Sequence, residues 1–528
     1  MNRALLLPEI VTNILETGKY YPNLLFTGLF INKLFFLEAS RILWYGCGSR
    51  WDSGAAGYQT PDIRNLAEIV RRDAQRAQIY ANVIHVLYFS SGGGRRSSEE
   101  TQYHSDLTKL QWPQLEELGL HISYEAVRRN KGDVILQYAQ SNLKHLQLDE
   151  GSHLDDGFLD ALLTRCPKLR VLALTCLADF NITSEGLLRF LNRARSLTSL
   201  TLRAQFKRLW AQDAFAVIST YQNLDFLIIP SIEENWIDAV SRFATSSVFP
   251  KMRWLYTSIS DSGLEQLSRI MPNLETLELY NSQIQPSRYA LASAAKFTSL
   301  KALRVQLGEG SCISGAQLVQ LARACPNLGE LSIAEDQEEE KSFAEIVESR
   351  ALPIIPSAEG ITDEVIDEFA RTLPKLKNLH LYFHAADLPS LDSLLSLGRH
   401  CPELSSLALS CNVKWTSFME LPYDVIFPEL WKLQIFPNGN RLELPIAGWA
   451  TAEALGDKIK DAIPEISCFL IEEPTRNEER LMTRMTSMIY GSESYSEEDG
   501  IDMSEGENSE EELSEEDANE ELVDQLTD

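Results

Sequence analysis

The chain has few histidines and cysteines, and none of them is arranged as in a catalytic or metal-binding motif. Its 528 residues include 8 His and 8 Cys, and no two cysteines form a C-x-x-C pair. His380 and His384 are close in sequence, but no Cys or carboxylate completes a metal-binding set at a suitable spacing. The glycines at 92–94 lack the Lys and Ser/Thr of a phosphate-binding loop, and neither G-x-S-x-G nor H-E-x-x-H occurs. The sequence therefore predicts a protein that is not an enzyme and that holds no metal and no cofactor.

Long apolar runs and large clusters of positive charge are also missing. The most apolar stretch, residues 24–37, is interrupted by Asn32 and Lys33 and is shorter than the roughly 20 residues that span a membrane. Pro8 and Glu9 break the apolar run at the start of the chain, which argues against a signal peptide. With a formal net charge of −28, the chain lacks a general footprint for phosphate backbones. We expect neither a membrane nor a nucleic acid as a partner.

Negative charge is concentrated towards the end of the sequence. Residues 491–528 contain 17 Asp and Glu and no Lys or Arg. A polar segment with so few apolar residues cannot bury a core, so we predict that residues 476–528 form a disordered acidic tail. Four serines in this segment precede an acidic residue by three places, a pattern that acidophilic kinases favour, and are candidates for phosphorylation. They are Ser496, Ser504, Ser509 and Ser514.

The cysteines that recur in the sequence are spaced as structural thiols. Cys166, Cys325 and Cys401 each end a helical pattern and precede a Pro. Equivalent positions several strands apart cannot bridge one another, so we predict that these thiols are buried and reduced. Free thiols favour a reducing compartment, and we expect a cytoplasmic or nuclear protein.

One short phrase, with apolar residues at its first, fourth and sixth places, recurs twelve times along the chain, and only the copy that begins at Met252 departs from it, with Thr257 at the sixth place. Most copies begin 26 to 28 residues after the previous one, with intervals of 22 and 48 as the exceptions. In an extended strand the fourth and sixth places point to one face, and that apolar ridge is buried only when neighbouring copies stack on it. The first places are Leu115, Leu143, Leu169, Leu197, Leu224, Met252, Leu274, Leu300, Leu328, Leu376, Leu404 and Leu430.

Helical patterns separate the phrases. Apolar residues recur at i, i+3, i+4 and i+7 within 155–165, 184–193, 262–270, 317–324 and 363–372. Every crossover is therefore strand–helix–strand, which favours a parallel sheet with helices on one side. Because helices are wider than strands, we predict an α/β solenoid that curves into a horseshoe, with parallel strands inside and helices outside.

These repeats resemble the leucine-rich-repeat family in its ribonuclease-inhibitor-like form. The segments Arg-Cys-Pro-Lys-Leu at 165–169 and His-Cys-Pro-Glu-Leu at 400–404 are similar to its cysteine-containing subtype. Weaker phrases that begin at Ile84 and Ile466 extend the predicted solenoid to 84–475. The long interval marks an insertion at about 334–361, which is either a solvated loop or a flap that contacts a partner.

Residues 1–46 read as three short helices. Leu7, Ile10, Ile14 and Leu15 form an amphipathic stripe, and Pro8 stands near the helix start, where proline is tolerated. The segment resembles the F-box, especially its fungal variant, which docks on the Skp-type adaptor of cullin–RING ubiquitin ligases. The resemblance implies adaptor contacts at Leu7, Pro8, Ile10, Ile14, Leu24 and Leu25. A helical linker is predicted at 47–83. Alternatively, residues 1–46 form only a cap that covers the first repeat.

Places three, five and seven of each phrase are predicted to face the concave side. Most hold small or polar residues, but five apolar and aromatic residues on three successive repeats form a contiguous patch. Aromatic residues beside arginines on an open surface are typical of a protein-binding hot spot. We predict that this surface binds a target protein, unless a loop or the tail of the same chain covers it. The residues are Phe226, Ile228, Trp254, Tyr256 and Tyr280, with Arg203 and Arg304 beside them.

The two resemblances together imply that the protein acts by bringing a target close to enzyme partners. The predicted protein is the substrate-recognition subunit of an SCF-type cullin–RING E3 ubiquitin ligase. Its F-box would bind the adaptor, and through it the cullin and RING subunits, while the repeats bind an unidentified target. Two other classes remain open. One is a non-catalytic repeat scaffold unconnected with ubiquitin, and the other is a regulator of a small GTPase.

Overall fold

The computed structural model describes most of the chain. The described residues are 7–18, 21–48, 61–89, 103–121, 133–149, 154–175, 181–243, 248–280, 289–307, 311–334, 357–385, 387–413, 425–436, 449–471 and 476–490.

The centre of the molecule is one sheet of fifteen strands, and all of its described pairings are parallel. Apart from β11 and β13, which pair with each other in a small second sheet, the strands lie side by side in chain order. Their bounds are β1 Gly46–Cys47, β2 Val86–Phe89, β3 Glu117–His121, β4 His145–Asp149, β5 Val171–Leu174, β6 Ser199–Leu202, β7 Phe226–Ile228, β8 Trp254–Thr257, β9 Thr276–Leu279, β10 Ala302–Gln306, β11 Cys312–Ser314, β12 Glu330–Ala334, β13 Ser357–Glu359, β14 Asn378–Leu381, β15 Ser406–Ser410, β16 Lys432–Phe436 and β17 Cys468–Ile471.

The register of the sheet follows the repeated phrase. Leu172 lies opposite Leu146 on one side and Leu200 on the other, and the same fourth-place match recurs along the sheet. Most fourth- and sixth-place residues are buried in one continuous core. All twelve phrases form strands, as predicted, and so do the two weaker phrases. Three short strands, β1, β11 and β13, were not predicted, because segments of two or three residues carry no recognisable period.

Helices connect the strands on the outer side of the sheet. Many begin at a Ser, Thr or Asp whose side chain accepts a hydrogen bond from the first turn, such as Asp155, Thr183 and Ser260. All five helical patterns predicted from the sequence form helices. The helices are α1 Pro8–Thr17, α2 Pro22–Ile31, α3 Lys33–Leu43, α4 Ile63–Arg72, α5 Ala74–Ala81, α6 Asp133–Leu136, α7 Asp156–Arg165, α8 Ser184–Arg193, α9 Gln212–Ser219, α10 Glu234–Phe243, α11 Asp261–Ile270, α12 Ala290–Ala294, α13 Gly315–Ala324, α14 Asp363–Thr372, α15 Leu391–His400, α16 Trp449–Ala462 and α17 Arg476–Tyr490.

The recurring cysteines lie at the C-terminal ends of repeat helices, as the sequence indicates. Cys166, Cys325 and Cys401 are buried and free. The Cys325 thiol lies 3.3 Å from the carbonyl oxygen of Phe297 in the preceding repeat. Burial raises the pKa of Cys166 and Cys325 to about 11 and that of Cys401 to about 12. These thiols therefore fill space between repeats and stay protonated.

The first three helices form a small bundle with its own core. Buried residues from all three helices meet there, separately from the core of the solenoid. Asn32 starts α3 by accepting hydrogen bonds from two backbone N–H groups of its first turn. The Trp44 ring then stacks on Tyr80 of α5 at a centroid distance of 4.8 Å, which joins the bundle to the solenoid. The five buried residues are Val11, Leu15, Leu25, Phe35 and Ala39.

The segment predicted as a linker belongs to the solenoid. Ile63, Leu66 and Val70 of α4 and Tyr80 of α5 are part of the main core, and β1 pairs with β2. The boundary between the helical module and the repeats therefore lies near residue 46. The described part of this segment, residues 61–83, belongs to an irregular first repeat, because its two helices bury apolar residues in the core of the solenoid.

The predicted start of the acidic tail at residue 476 needs correction. Residues Arg476–Tyr490 form α17, which packs on α16 and covers the last strand. Leu481 and Met485, one turn apart, are fully buried. Charged residues around this stripe hide its period from a reading of composition. Residues 491–528, with all four candidate phosphorylation serines, lie outside the described part of the chain.

The predicted insertion is shorter than 334–361. Ala334 still belongs to β12, and Ser357–Glu359 forms β13, which pairs in parallel with β11. Ile361 is buried in the main core. Residues 335–356, which include the acidic start of the insertion, lie outside the described residues.

Candidate functional site

Exposed apolar side chains are concentrated in the N-terminal bundle. Of the sixteen large hydrophobic residues that are exposed in the described structure, ten lie between Leu7 and Tyr45. Isolated exposed apolar residues are ordinary on a protein surface, but a cluster of this density marks an interaction surface. The bundle therefore has a buried core and an outer apolar surface.

The N-terminal apolar face, formed by Leu7, Ile10, Ile14 and Leu24, unites most of the predicted adaptor contacts. These side chains retain 38 to 52% of their accessible surface. Leu24 packs against Gly18 at the end of α1, where an added Cβ would come within 2.0 Å of the leucine side chain. Glycine at this position permits the close approach of α2 to α1.

Two further predicted contacts have different positions. Pro8 is exposed and forms the first residue of α1, where its missing N–H costs no hydrogen bond. Leu25 is only 4% exposed and lies in the core of the bundle. Its prediction as a surface contact is corrected, since neighbouring residues of one helix point about 100° apart and only Leu24 faces outwards.

The bundle also exposes residues that the sequence reasoning did not select. Phe26 and Phe30 of α2 are 54% and 85% exposed, and Leu37 of α3 is 44% exposed. The sequence of α2 already indicated this exposure. The helix is apolar on nearly all sides, and a short helix that packs on one core cannot bury every side.

The predicted concave patch forms on β7, β8 and the end of β9. Phe226 lies opposite Trp254 in the sheet, and their rings meet edge to face at a centroid distance of 4.5 Å. The next layer stacks Tyr256 on Tyr280 at 4.8 Å. Trp254 keeps 38% of its surface exposed. We call these four rings, together with Ile228, the aromatic patch.

Hydrogen bonding fixes one edge of the aromatic patch. The Tyr280 hydroxyl donates to the backbone carbonyl of Pro230. Burial raises the pKa of Tyr280, the neighbouring Tyr256 adds to this effect, and Arg203 opposes it. Tyr280 is therefore a neutral donor at physiological pH. Arg203 is exposed beside it, as the sequence indicated.

The prediction that Arg304 lies beside the patch and faces a ligand needs correction. Its guanidinium forms ion pairs with Glu330 at 2.6 Å and Glu278 at 3.4 Å, on the strands to either side. Register places Glu278 opposite both Tyr256 and Arg304, so a carboxylate separates the arginine from the aromatic rings. Glu278 and Glu330 come from the repeats before and after Arg304, so the pattern within one repeat did not reveal these ion pairs.

A second aromatic pair lies farther along the sheet. The rings of Tyr382 and Phe436 are 4.3 Å apart, across the buried Ser410. Both rings occupy the seventh place of their phrases, which was predicted to face the concave side, but neither residue was included in the predicted patch. The concave side thus has aromatic residues in two places.

The described residues do not form a metal site or a membrane span. His380 is within 2.9 Å of the Ser406 hydroxyl, and burial lowers its pKa. No group of three or more His, Cys, Asp or Glu in the described structure could hold a metal ion. Likewise, among the helices described, none combines the length and apolarity needed to cross a membrane.

Comparisons with known proteins give distant likenesses only. No family model and no curated protein matches the chain. Among solved structures, one that resembles it is the crystal structure of the Rad7 and Elc1 complex in yeast, at 15% identity over 78% of this chain and 93% of that chain, with a TM-score of 0.36. Another is the leucine-rich repeat-containing protein LegL7 from Legionella pneumophila, at 14% identity over 58% and 87%, with a TM-score of 0.28. TM-scores this low support no conclusion about function, so the function is inferred below from the surfaces of this chain.

Proposed function

We propose that this protein is the substrate-recognition subunit of an SCF-type cullin–RING E3 ubiquitin ligase. The observation that carries the proposal is the N-terminal apolar face on a bundle that already has its own core. A helical cap would turn its apolar residues towards the first repeat, whereas Leu7, Ile10, Ile14 and Leu24 point into solvent. A surface of this kind fits a groove on a Skp-type adaptor, which would connect the chain to the cullin and RING subunits.

In this proposal the solenoid captures the target protein on its concave side. The aromatic patch offers stacked rings with one exposed edge, and Trp and Tyr carry much of the binding energy in protein interfaces. The target stays unidentified. A cytoplasmic or nuclear location is part of the proposal.

The proposed mechanism requires no catalytic residue in this chain. The bundle is joined to the solenoid through the stacking of Trp44 on Tyr80. A target on the sheet would therefore be held near an adaptor on the bundle, and target lysines would meet the charged conjugating enzyme at high effective concentration. The transfer chemistry would belong to the enzyme partners.

Substitution of the N-terminal apolar face tests the adaptor contact. Ile10→Glu with Ile14→Glu places two charges on the face and should abolish co-purification of the full chain with a Skp-type adaptor. Ile79→Glu is the matched control, because Ile79 is 41% exposed, as is Ile14, but lies on α5 outside the bundle.

The alternative function is a repeat scaffold that is not linked to ubiquitin. It predicts that adaptor capture is absent from the unsubstituted chain or unaffected by the two glutamates. Either result would reject the ligase proposal, provided that circular dichroism shows the bundle intact.

A further inference from the structure

Two pairs of basic residues lie at the edge of the sheet where the strands begin, one before β5 and one before β8, with Thr198 and Asp225 at the equivalent places between them. The residues that directly precede successive strands are joined by backbone hydrogen bonds from each N–H to the carbonyl of the previous repeat, as from Arg170 to Lys144 and from Lys301 to Glu275. These residues are therefore spaced like the strands, at about 4.8 Å. We call Lys168, Arg170, Lys251 and Arg253 the basic edge; all four are exposed.

None of the four basic-edge cations forms an ion pair within the described structure, although the pKa of Glu116 is lowered mainly by its hydrogen bond from Lys144 and to a smaller extent by the charge of Lys168. Lys144 and Lys301 on the same edge pair with Glu116 at 2.7 Å and with Glu275 at 2.9 Å. In contrast, no carboxylate of the described residues lies within 4.0 Å of the four basic-edge cations. Lys168 and Lys251 donate instead to the neutral amide oxygens of asparagines one repeat earlier, at 2.9 and 2.8 Å.

Lys251 and Arg253 also line a surface depression of about 490 Å³. Asp225 and Glu275 contribute to the same wall, and Lys301 already engages Glu275. Six of its seven lining residues are charged or polar, which suits a charged segment better than an apolar one. Because none of the four cations forms a direct ion pair in the described structure, they favour an acidic occupant, which a chain with a net charge of −28 can itself supply.

The chain itself has an acidic segment, residues 491–528, and this segment begins at the edge of the sheet where the strands start. Helix α17 follows β17 and packs back on both β17 and α16, where Arg484 pairs with Glu453 and Asp457, so α17 runs parallel to α16 as successive repeat helices do. Helix α16 leads directly into β17, and therefore ends at the edge where strands begin. Tyr490, the last residue of α17, ends at this same edge.

We propose that residues 491–528 dock along the basic edge, with their carboxylates paired to Lys168, Arg170, Lys251 and Arg253. The segment carries 17 acidic residues and no basic ones, so many registers satisfy the four cations. This inference does not depend on the adaptor or target proposals. The acidic segment would bind the edge where the strands begin and not the aromatic patch, because a polar chain would bury little apolar surface against the stacked rings.

The distances permit this contact. In strand order Arg253 lies seven strands from β17, which corresponds to roughly 34 Å, and Arg170 lies ten strands away, roughly 48 Å. A flexible chain of 38 residues has an average end-to-end distance of about 35 Å and reaches over 100 Å when extended. Its tethering gives an effective concentration on the order of millimolar.

Carbodiimide cross-linking of the full chain tests the proposal, since the reagent condenses carboxylates with neighbouring lysine amines. At low salt, mass spectrometry should find the acidic segment joined to Lys168 and Lys251 within one chain. Arg170→Glu with Arg253→Glu keeps both reporter lysines but reverses two charges, and should remove these links. Salt at about 1 M, where the screening length is about 3 Å, should also remove them.

The matched control is Arg242→Glu with Arg269→Glu. It makes the same change in net charge at exposed arginines on α10 and α11 that pair within their own helices. These control variants should retain the links. The proposal is overturned if the links are missing from the unsubstituted chain, if they survive Arg170→Glu with Arg253→Glu, or if isotope mixing shows that they join separate chains, as an acidic partner in trans would require.

Discussion

The carboxylate of Asp363 accepts two hydrogen bonds from Ser390, one from its backbone N–H at 2.7 Å and one from its hydroxyl at 2.8 Å. Asp363 begins the repeat helix α14, and Ser390 is the N-cap of the next one, α15. Asp156 and Thr183 have the same relationship between α7 and α8, at 2.8 and 2.7 Å. An acid at one helix start thus holds the start of the next helix in the stack.

This contact gives a prediction about stability and pH. Partial burial pushes the pKa of Asp363 upwards, but hydrogen bonds from Ser393 and Ser390 outweigh it, and the net pKa is lowered. A carboxyl group whose pKa is depressed by folding stabilises the protein above its unfolded pKa, and the stabilisation is lost as the pH falls through the folded pKa. We expect Asp363→Ala to reduce the free energy of unfolding at pH 7 by about 1–3 kcal/mol.

Urea denaturation at several pH values checks this prediction. The difference between the unsubstituted chain and Asp363→Ala should shrink as the pH is lowered from about 5 to 3. Asp392→Ala is the control, because Asp392 lies in the first turn of α15 and shares the helix-dipole effect. An equal loss in both variants would mean that the helix dipole, and not the contact with Ser390, supplies the stability.

The aromatic patch gives a prediction about target capture. Trp254→Ala with Tyr256→Ala removes one ring from each of the two stacked pairs and should abolish recovery of the target while adaptor binding persists. Quantitative mass spectrometry of proteins captured by the full chain measures both. Trp431→Ala is the matched control, since Trp431 is 47% exposed but directly precedes β16, far from the patch. Loss of adaptor as well as target would indicate misfolding instead.

The buried cysteines give a prediction about reactivity. With a pKa of about 12, fewer than about one in a thousand Cys401 thiols is ionised at pH 8. Iodoacetamide should therefore modify the half-buried Cys312 and Cys468 first and leave Cys401 intact until the chain unfolds. Peptide mapping after timed alkylation measures these rates. Rapid labelling of Cys401 in the folded chain would show that the helix ends open.

The last helix gives a prediction about the end of the stack. Met485→Asp puts an unpaired charge into the core under α17 and should cost about 3–5 kcal/mol. Thr486→Asp, at the exposed neighbouring position, should cost less than about 1 kcal/mol. Thermal unfolding compares the two variants. Equal melting temperatures would mean that α17 contributes little to the solenoid.

The repeated phrase predicted the sheet because its period and its two faces act together. A slip of one residue in any strand would turn its leucines to solvent, so the register from Leu118 to Leu433 follows from the sequence. The strand β1 and helix α17 were missed for different reasons. Two residues have no measurable period, and the charged surroundings of Leu481 mask a stripe that only packing against α16 reveals.

The functional surfaces were predicted less completely. A stripe at helical spacing identified Leu7, Ile10 and Ile14, but it could not decide which of Leu24 and Leu25 faces the core, because that depends on the angle between helices. The aromatic patch followed from places three, five and seven of the phrase. The pairing of Arg304 did not, since its two partners lie about one repeat away on either side.

The stacking of Trp44 on Tyr80 has one more consequence. The bundle meets the solenoid through packed rings and not through a flexible connection, so its orientation cannot swing freely. From β1 to β8 the sheet spans seven strand intervals, or roughly 34 Å. The number of repeats between the bundle and Trp254 therefore sets the distance between two molecules bound at these places. Adding or deleting one repeat would change that distance by about 5 Å.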